Sequence, residues 1–234
     1  MTDYNTYISR FVVVKEPLIL EMERYAAEHR VPIMDDTGLY TLIGLLQIQQ
    51  PKRILEIGSA IGYSAIRLAK AFPDAVIYTV ERDTERYEKA VEYIERSGLQ
   101  ERIIIIHDDA LELDETKLPQ EPFDALFIDA AKGQYRKFFD KYSPLVGPAG
   151  VIYCDNMFMH GMVLLEDADI PKRNRTMIRN LQQFTSWAMQ NDHYDTSLVP
   201  IGDGILIAVK IVKPLKNGHE SLCTIVCVMH FPNT

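Results

Sequence analysis

Residues 53–64 read RILEIGSAIGYS, and this stretch predicts how the following part of the chain is built. The apolar run RILEI lies between Pro51 and Gly58, as expected for a short strand that is buried on both faces. Gly58 permits a sharp turn without the steric penalty of a Cβ, and Gly62 lets the next segment approach the sheet closely. The stretch therefore predicts a strand, a tight turn and a helix.

The same alternation of strands and helices continues along the chain. Further buried strands are predicted at 76–81, 103–107, 123–129 and 151–155, and helices at 17–30, 36–49, 62–72, 83–98, 133–142 and 174–190. This pattern is typical of an α/β fold with a doubly wound, mainly parallel, Rossmann-like sheet. Two apolar runs flank Gly202-Asp203-Gly204 and predict a C-terminal antiparallel hairpin. We expect a helical cap over 1–50, the main domain over 51–210, and a tail without an assigned role over 211–234.

The composition excludes several classes of protein. A net charge of −8 disfavours nonspecific coating of nucleic acid. The chain contains no run of roughly 20 apolar residues and no basic-then-apolar N-terminus, so we expect a cytoplasmic protein without a membrane partner. Cys154, Cys223 and Cys227 are odd in number and unevenly spaced, so we expect them to be reduced and not to bind zinc.

A nucleoside pocket is predicted where the first three strands end. Glu81 closes the second strand, where a carboxylate can accept hydrogen bonds from both hydroxyls of a ribose. The acidic turn at Asp109 and Ala110 follows the third strand and could hold an adenine edge. A dinucleotide site needs Gly-x-Gly-x-x-Gly against its pyrophosphate, but Ala60 replaces the middle glycine. S-adenosylmethionine carries no phosphate, so these residues favour it over a nicotinamide dinucleotide.

A metal site is predicted where the fourth and fifth strands end. Asp129 closes one strand and Asp155 and Asn156 close the other, so their side chains should share one crevice. Buried carboxylates are costly unless they are paired, and an all-oxygen set favours Mg²⁺. A single Asp here is commonly a helix N-cap, but the combination favours a cation. Lys132 would face that cation, which disfavours the ammonium form and suits the amine to act as a general base.

The motifs taken together resemble one family. LEIGSAIGYSA, the acidic end of VIYTVE, DDA, FIDAAKGQY and CDN follow one another as in the cation-dependent, catechol-type O-methyltransferases, and the resemblance spans residues 30–210. It implies a class I methyltransferase fold and a homodimer built partly from the N-terminal helices. It also implies that Asp129, Asp155 and Asn156 bind the metal and that Lys132 is the base. The cofactor pocket that it implies is lined by Met34, Ser64, Glu81, Asp109, Ala110 and Asp129.

A narrower resemblance concerns the methyl acceptor. RVPIM, IGYSAIRLA, DAAKGQY and the Pro-Lys-Arg stretch at 171–173 look like the bacterial tRNA 5-hydroxyuridine methyltransferases, which make 5-methoxyuridine at the wobble position. Two basic clusters could bind the phosphates of an anticodon stem-loop, although both are also compatible with ordinary solvated helix faces. The clusters comprise Lys132, Arg136, Lys137 and Lys141, and Lys172, Arg173, Arg175 and Arg179. Candidates for stacking on loop bases are Tyr63, Tyr135 and Phe158.

The sequence therefore leaves two acceptors open. Our first hypothesis is methyl transfer to 5-hydroxyuridine in the tRNA anticodon loop, and the alternative is a small catechol or other hydroxylated aromatic. Each offers two neighbouring oxygens to one metal ion. An NAD-linked oxidoreductase and a noncatalytic RNA-binding module account for fewer of the motifs.

Overall fold

A seven-stranded sheet in the order β3-β2-β1-β4-β5-β7-β6 forms the centre of the fold. The computed structural model describes residues 7, 11, 15–166 and 168–211; the unassigned tail, with Cys223 and Cys227, lies almost entirely outside that part. The strands are β1 (Arg53–Ile57), β2 (Val76–Glu81), β3 (Ile103–His107), β4 (Phe123–Ile128), β5 (Val146–Cys154), β6 (Tyr194–Val199) and β7 (Ile205–Lys210). Strands β1 to β5 are parallel, and β7 runs antiparallel to both β5 and β6. The predicted fold class is confirmed.

Among residues 15–211, six α-helices surround this sheet, close to the predicted positions. They are α1 (Pro17–His29), α2 (Asp36–Gln49), α3 (Tyr63–Ala71), α4 (Thr84–Ser97), α5 (Tyr135–Tyr142) and α6 (Arg175–Met189). The side chain of Asp83 accepts a hydrogen bond from the backbone N–H of Arg86 at 3.0 Å and so caps α4. Gly98 ends that helix in the left-handed conformation. Local capping signals therefore define α4 as the sequence predicts.

The sheet separates two apolar cores. Alternation along each central strand directs successive side chains to opposite faces, so Ile54 enters one core and Leu55 the other. Helices α1 to α4 cover the first face and α5 and α6 the second. The N-terminal helices α1 and α2 are thus part of the first of these two cores. Exposed Tyr40 and Ile48 lie on α2, and the expected homodimer stays a prediction that light scattering would test.

Two strand predictions are corrected by the sheet topology. Burial on both faces fails for β3, where Ile104 is exposed, because β3 is an edge strand with helix cover on one side only. The fifth strand begins at Val146 instead of 151, since Val146 already pairs with Phe123 before the register shifts at the glycine-rich segment 147–150. A bulge of this kind interrupts the apolar pattern without ending the strand.

The topology brings four strand ends to one edge of the sheet. Backbone hydrogen bonds continue the ladder beyond the strands, from Gly58 to Val80 at 3.0 Å, from Asp129 to Ile57 at 3.0 Å and from Asp155 to Ile128 at 3.1 Å. The ends of β2, β1, β4 and β5 are therefore held in fixed positions relative to one another. In the described part of the chain, none of the helices has the length and apolar character needed to cross a membrane.

Gly58 is the position at which this edge is least tolerant of a side chain. Its φ of +101° is unfavourable for other residues, and a Cβ would collide with the backbone oxygen of Asp129. We expect Gly58→Ala to lower the free energy of unfolding in urea by about 3 kcal/mol, from conformational strain plus overpacking. The matched control is Gly98→Ala, which has a φ of +71° and open space around it and should lose only about 1 kcal/mol. Equal losses would contradict the steric part of this explanation.

Candidate active site

A cavity of about 320 Å³ opens beyond the carboxyl ends of β1, β2 and β4. The predicted cofactor residues that line it are Met34, Gly58, Ser64, Glu81, Asp109, Ala110 and Asp129. Lys132 also lines the cavity. Gly62 does not: it precedes α3 with a φ of +80°, and a Cβ there would lie 3.4 Å from the Cβ of Ala90. Its place is thus at the packing of α3 against α4, as expected for a glycine that allows close approach.

Glu81 holds the loop after β1 against the end of β2. Its carboxylate accepts hydrogen bonds from the backbone N–H groups of Ala60 at 2.8 Å, Arg82 at 2.9 Å and Asp83 at 2.8 Å. The side chain is buried, and it lines the cavity. A carboxylate has about four acceptor positions, so three backbone bonds leave capacity for a ligand hydroxyl. The backbone bonds fix the orientation of this carboxylate before any ligand arrives.

Glu56 is a buried carboxylate that lies beneath the cavity. It is not among the predicted site residues. The hydroxyls of Ser64 and Thr79 each donate to it at 2.5 Å. Burial raises the pKa of Glu56 to about 7, against the opposing effect of these two hydrogen bonds. Glu56 therefore orients Ser64, a predicted cofactor residue. The available signal in the sequence was a charged residue in the middle of the apolar run RILEI.

The three predicted metal ligands meet at the ends of β4 and β5. The amide nitrogen of Asn156 donates to Asp155 Oδ2 at 2.6 Å and contacts Asp129 Oδ1 at 3.3 Å. Asp155 is only 1% exposed, and its buried Oδ1 has no hydrogen-bond partner among the described residues. Burial, and secondly the charge of Asp129, hold the pKa of Asp155 well above its usual range. This crevice thus brings together two carboxyl groups whose burial and mutual repulsion the described residues compensate incompletely.

The side chain of Lys132 faces this crevice. The residue begins a short 3-10 helix, Lys132–Gln134, that leads into α5, and its Nζ lies 2.9 Å from Asp129 Oδ1. Both side chains are largely buried, so water screens their ion pair less than at the surface. Within the described residues, no cluster of three or more His, Cys, Asp or Glu side chains suited to a metal is found. The predicted set contains two carboxylates and an amide, so a cation there would need further oxygens from water or substrate.

Several of the basic residues considered for RNA binding make contacts within the protein. Arg136 Nε donates to Asp140 at 2.7 Å, and its guanidinium lies 3.6 Å from the ring centre of Trp187. Lys141 and Arg175 each donate to two backbone carbonyls. These contacts stabilise α5 and the start of α6. They compete with any role for these three side chains in binding phosphate groups.

Two of the proposed stacking residues are buried. The hydroxyl of Tyr63 donates to Glu23 at 2.6 Å, and the hydroxyl of Tyr135 donates to the backbone oxygen of Asp155 at 2.8 Å. Their rings pack in the two cores, which disfavours both as stacking partners for a loop base, although Tyr63 also lines the cavity. Phe158 is partly exposed and remains a candidate.

A Rossmann-like parallel sheet with a C-terminal antiparallel pair, an acidic residue at the end of β2 and a cavity at the carboxyl edge define a class I methyltransferase. The O-methyltransferase family model matches residues 11–211. The chain therefore belongs to the O-methyltransferase family and is an S-adenosylmethionine-dependent O-methyltransferase.

Individual relatives match nearly the whole chain. A relative from Arabidopsis thaliana, provisionally named a caffeoyl-CoA O-methyltransferase, is 31% identical, over 89% of this chain and 90% of the relative. The catechol O-methyltransferase of Niastella koreensis is 29% identical, over 87% and 94%. A solved structure of a provisional caffeoyl-CoA O-methyltransferase from Staphylococcus aureus superposes with a TM-score of 0.82 at 30% identity, covering 88% of this chain and 99% of that one. An O-methyltransferase of Bacillus cereus, solved in complex with S-adenosylhomocysteine (SAH), gives 0.76 at 26% identity, covering 90% and 98%.

The buried carboxyl of Glu56 should make stability depend on pH. Its pKa in the folded protein, about 7, is raised above the ordinary value of 4.5. The contribution of the protonated carboxyl to the stability of the fold is therefore complete below about pH 4.5, and it is lost as the pH rises through about 7. Glu56→Gln removes this loss. At pH 8.5 we therefore expect the free energy of unfolding in urea to be higher for the variant than for the parent, by up to about 3 kcal/mol. The difference should shrink towards pH 5, and the exposed control Glu88→Gln should follow the parent; a variant less stable than the parent at pH 8.5 would refute this assignment.

Proposed function

We propose that the enzyme methylates one of two neighbouring oxygens on a small aromatic diol, with one Mg²⁺ held by Asp129, Asp155 and Asn156. The observation that carries this proposal is the buried crevice in which these three side chains meet beside Lys132. In the part of the chain that the structure describes, Asp155 Oδ1 lacks a hydrogen-bond partner there. Relatives named for catechol and caffeoyl-CoA support a catechol-type acceptor.

The donor set suits a hard divalent cation. Carboxylate and amide oxygens are preferred by Mg²⁺, which keeps several other positions for water and substrate. An amide presents its oxygen as readily as its nitrogen after a half-turn about its last bond, so Asn156 can supply a third oxygen. A cation would also relieve the repulsion between Asp129 and Asp155. When bound, it would lower the pKa of a chelated hydroxyl and fix the direction of its attack.

Other residues of the chain bind the methyl donor and accept the proton. Glu81 binds the ribose hydroxyls of the methyl donor, and Asp109 and Ala110 contact its adenine. The other proposed cofactor contacts are Met34, Gly58, Ser64 and Asp129. Lys132 is the general base that takes the proton of the attacked hydroxyl. The acceptor oxygen forms a bond to the methyl carbon as the carbon–sulfur bond breaks in line, and the sulfur keeps the electron pair.

A small acceptor accounts for more of the observations than tRNA does. The contacts of Arg136, Lys141 and Arg175 within the protein reduce the positive charge available to a phosphate backbone. Three of the four relatives described above are named for caffeoyl-CoA or catechol. Transfer to tRNA is therefore an outcome of the test and not our proposal.

The acceptor is tested with a labelled methyl donor and a matched set of substrates. With Mg²⁺, we expect methyl transfer to catechol and to caffeoyl-CoA, and no transfer to phenol, because phenol lacks the second oxygen. EDTA should abolish the transfer, and added Mg²⁺ should restore it. Methylation of hydroxyuridine-containing tRNA, with none of any diol, would overturn the proposal, as would equal rates with catechol and phenol.

The metal ligands are tested separately from the cofactor pocket. We expect Asp155→Ala to lower kcat at least 100-fold, a loss of about 3 kcal/mol of transition-state stabilisation. Because Asp155 does not line the cofactor cavity, SAH affinity measured by calorimetry should change less than threefold. The control is Asp74→Ala, which removes an exposed carboxylate and should leave both quantities unchanged. Full activity of Asp155→Ala would exclude the proposed metal site.

A further inference from the structure

The turn Gly202-Asp203-Gly204 between β6 and β7 holds the loop that follows β5. Backbone N–H groups of that loop donate to the turn, from Met157 to the Gly204 oxygen at 3.0 Å and from Phe158 to the Asp203 oxygen at 2.8 Å. The side chain of Asp203 adds a third bond, because its Oδ1 accepts from the backbone N–H of His160 at 2.6 Å. All three bonds fall within four residues of Asn156, a proposed metal ligand.

The side chain of Asp203 is largely buried, although the residue lies in a turn between two strands. Its side chain is only 10% exposed, and its Oδ2 lies 3.6 Å from the Nδ1 of His160. No residue that the structure describes forms a hydrogen bond with this buried oxygen. A buried carboxylate is costly unless it is hydrogen-bonded. The mechanism proposed above gives it no task. Its strongest contact is the short bond to the backbone of the loop.

The loop itself needs external support. Asn156, Met159 and His160 have φ values of +59°, +48° and +53°. Each non-glycine residue in this left-handed region costs of order 1 kcal/mol and persists when its surroundings over-determine it. The hydrogen bonds from the turn supply that constraint. The conformation of Asn156 is thus tied to a segment almost 50 residues further along the chain.

Close packing locks the turn between two neighbours. A Cβ at Gly204, where φ is +88°, would lie 2.6 Å from the ring of Phe158. A Cβ at Gly202 would lie 2.7 Å from Asp35 Oδ2, at the start of α2. The glycines let the turn fit between the loop after β5 and the start of α2, so its position is well defined.

We propose that Asp203 is a positioning residue for the cation site: its carboxylate oxygen fixes the loop 156–160 and thereby holds the amide of Asn156 in place for the metal. This inference rests on the proposed function, because it assumes that Asn156 is a metal ligand. Asp203 acts through the hydrogen bond that it accepts and not through its charge. The two roles differ in what an asparagine at this position would do, since an amide keeps the acceptor oxygen but not the charge.

Binding of Mn²⁺, followed by electron paramagnetic resonance in the presence of SAH, tests the proposal without an activity assay. We expect Asp203→Ala to weaken Mn²⁺ binding 10- to 100-fold, the usual effect of losing a residue that orients metal ligands. Asp203→Asn should stay within about threefold of the parent. The matched control is Asp195→Ala, which removes an exposed carboxylate from β6 of the same hairpin. SAH affinity and the midpoint of urea unfolding identify variants that have simply lost their fold.

Each outcome decides between named alternatives. Parent-like binding by Asp203→Ala would overturn the inference and leave the metal site intact. Equal weakening in Asp203→Asn and Asp203→Ala would show that the charge matters, which also overturns it. A parent protein that does not bind Mn²⁺ would overturn the proposed metal site together with this inference. If Asp203→Ala fails to fold, Gly204→Ala gives a second test, since displacing Phe158 should also weaken Mn²⁺ binding with SAH affinity retained.

Discussion

The gathering of four carboxylates at one edge of a parallel sheet is the constraint on which the rest of this structure depends. Glu56, Glu81, Asp129 and Asp155 all lie on or directly after β1, β2, β4 and β5, where parallel strands end together. Removing such groups from water is unfavourable unless hydrogen bonds or opposite charges compensate. Each carboxylate is compensated differently, and these differences divide the edge into two functional halves.

The cofactor half is satisfied by the protein itself. Backbone N–H groups surround Glu81, and the hydroxyls of Ser64 and Thr79 bind Glu56. The pocket is therefore organised in advance of its ligand, which limits the conformational freedom lost on binding. This agrees with membership of a family that uses S-adenosylmethionine.

The acceptor half is only partly satisfied. Lys132 faces Asp129, but one oxygen of Asp155 has no hydrogen-bond partner within the described part of the chain. In the proposed function, a cation from solution would compensate for this imbalance, and the turn around Asp203 would hold the loop that carries Asn156, a proposed metal ligand. The edge thus combines a preorganised donor pocket with a crevice that is the proposed site of a metal ion.

The sequence by itself determined the order of strands and helices, the class of fold and the strand ends at which Glu81, Asp129 and Asp155 lie, because apolar periodicity and punctuating glycines are local signals. It could not show that β3 is an edge strand or that β5 begins at Val146, since pairing depends on distant segments. Nor could it show that Tyr63 and Tyr135 are buried, that Thr79 binds Glu56, or that Asp203 reaches His160. Those contacts join residues far apart in the chain. Only the tertiary structure decides them, because the burial and the partners of a polar side chain depend on every element that packs around it.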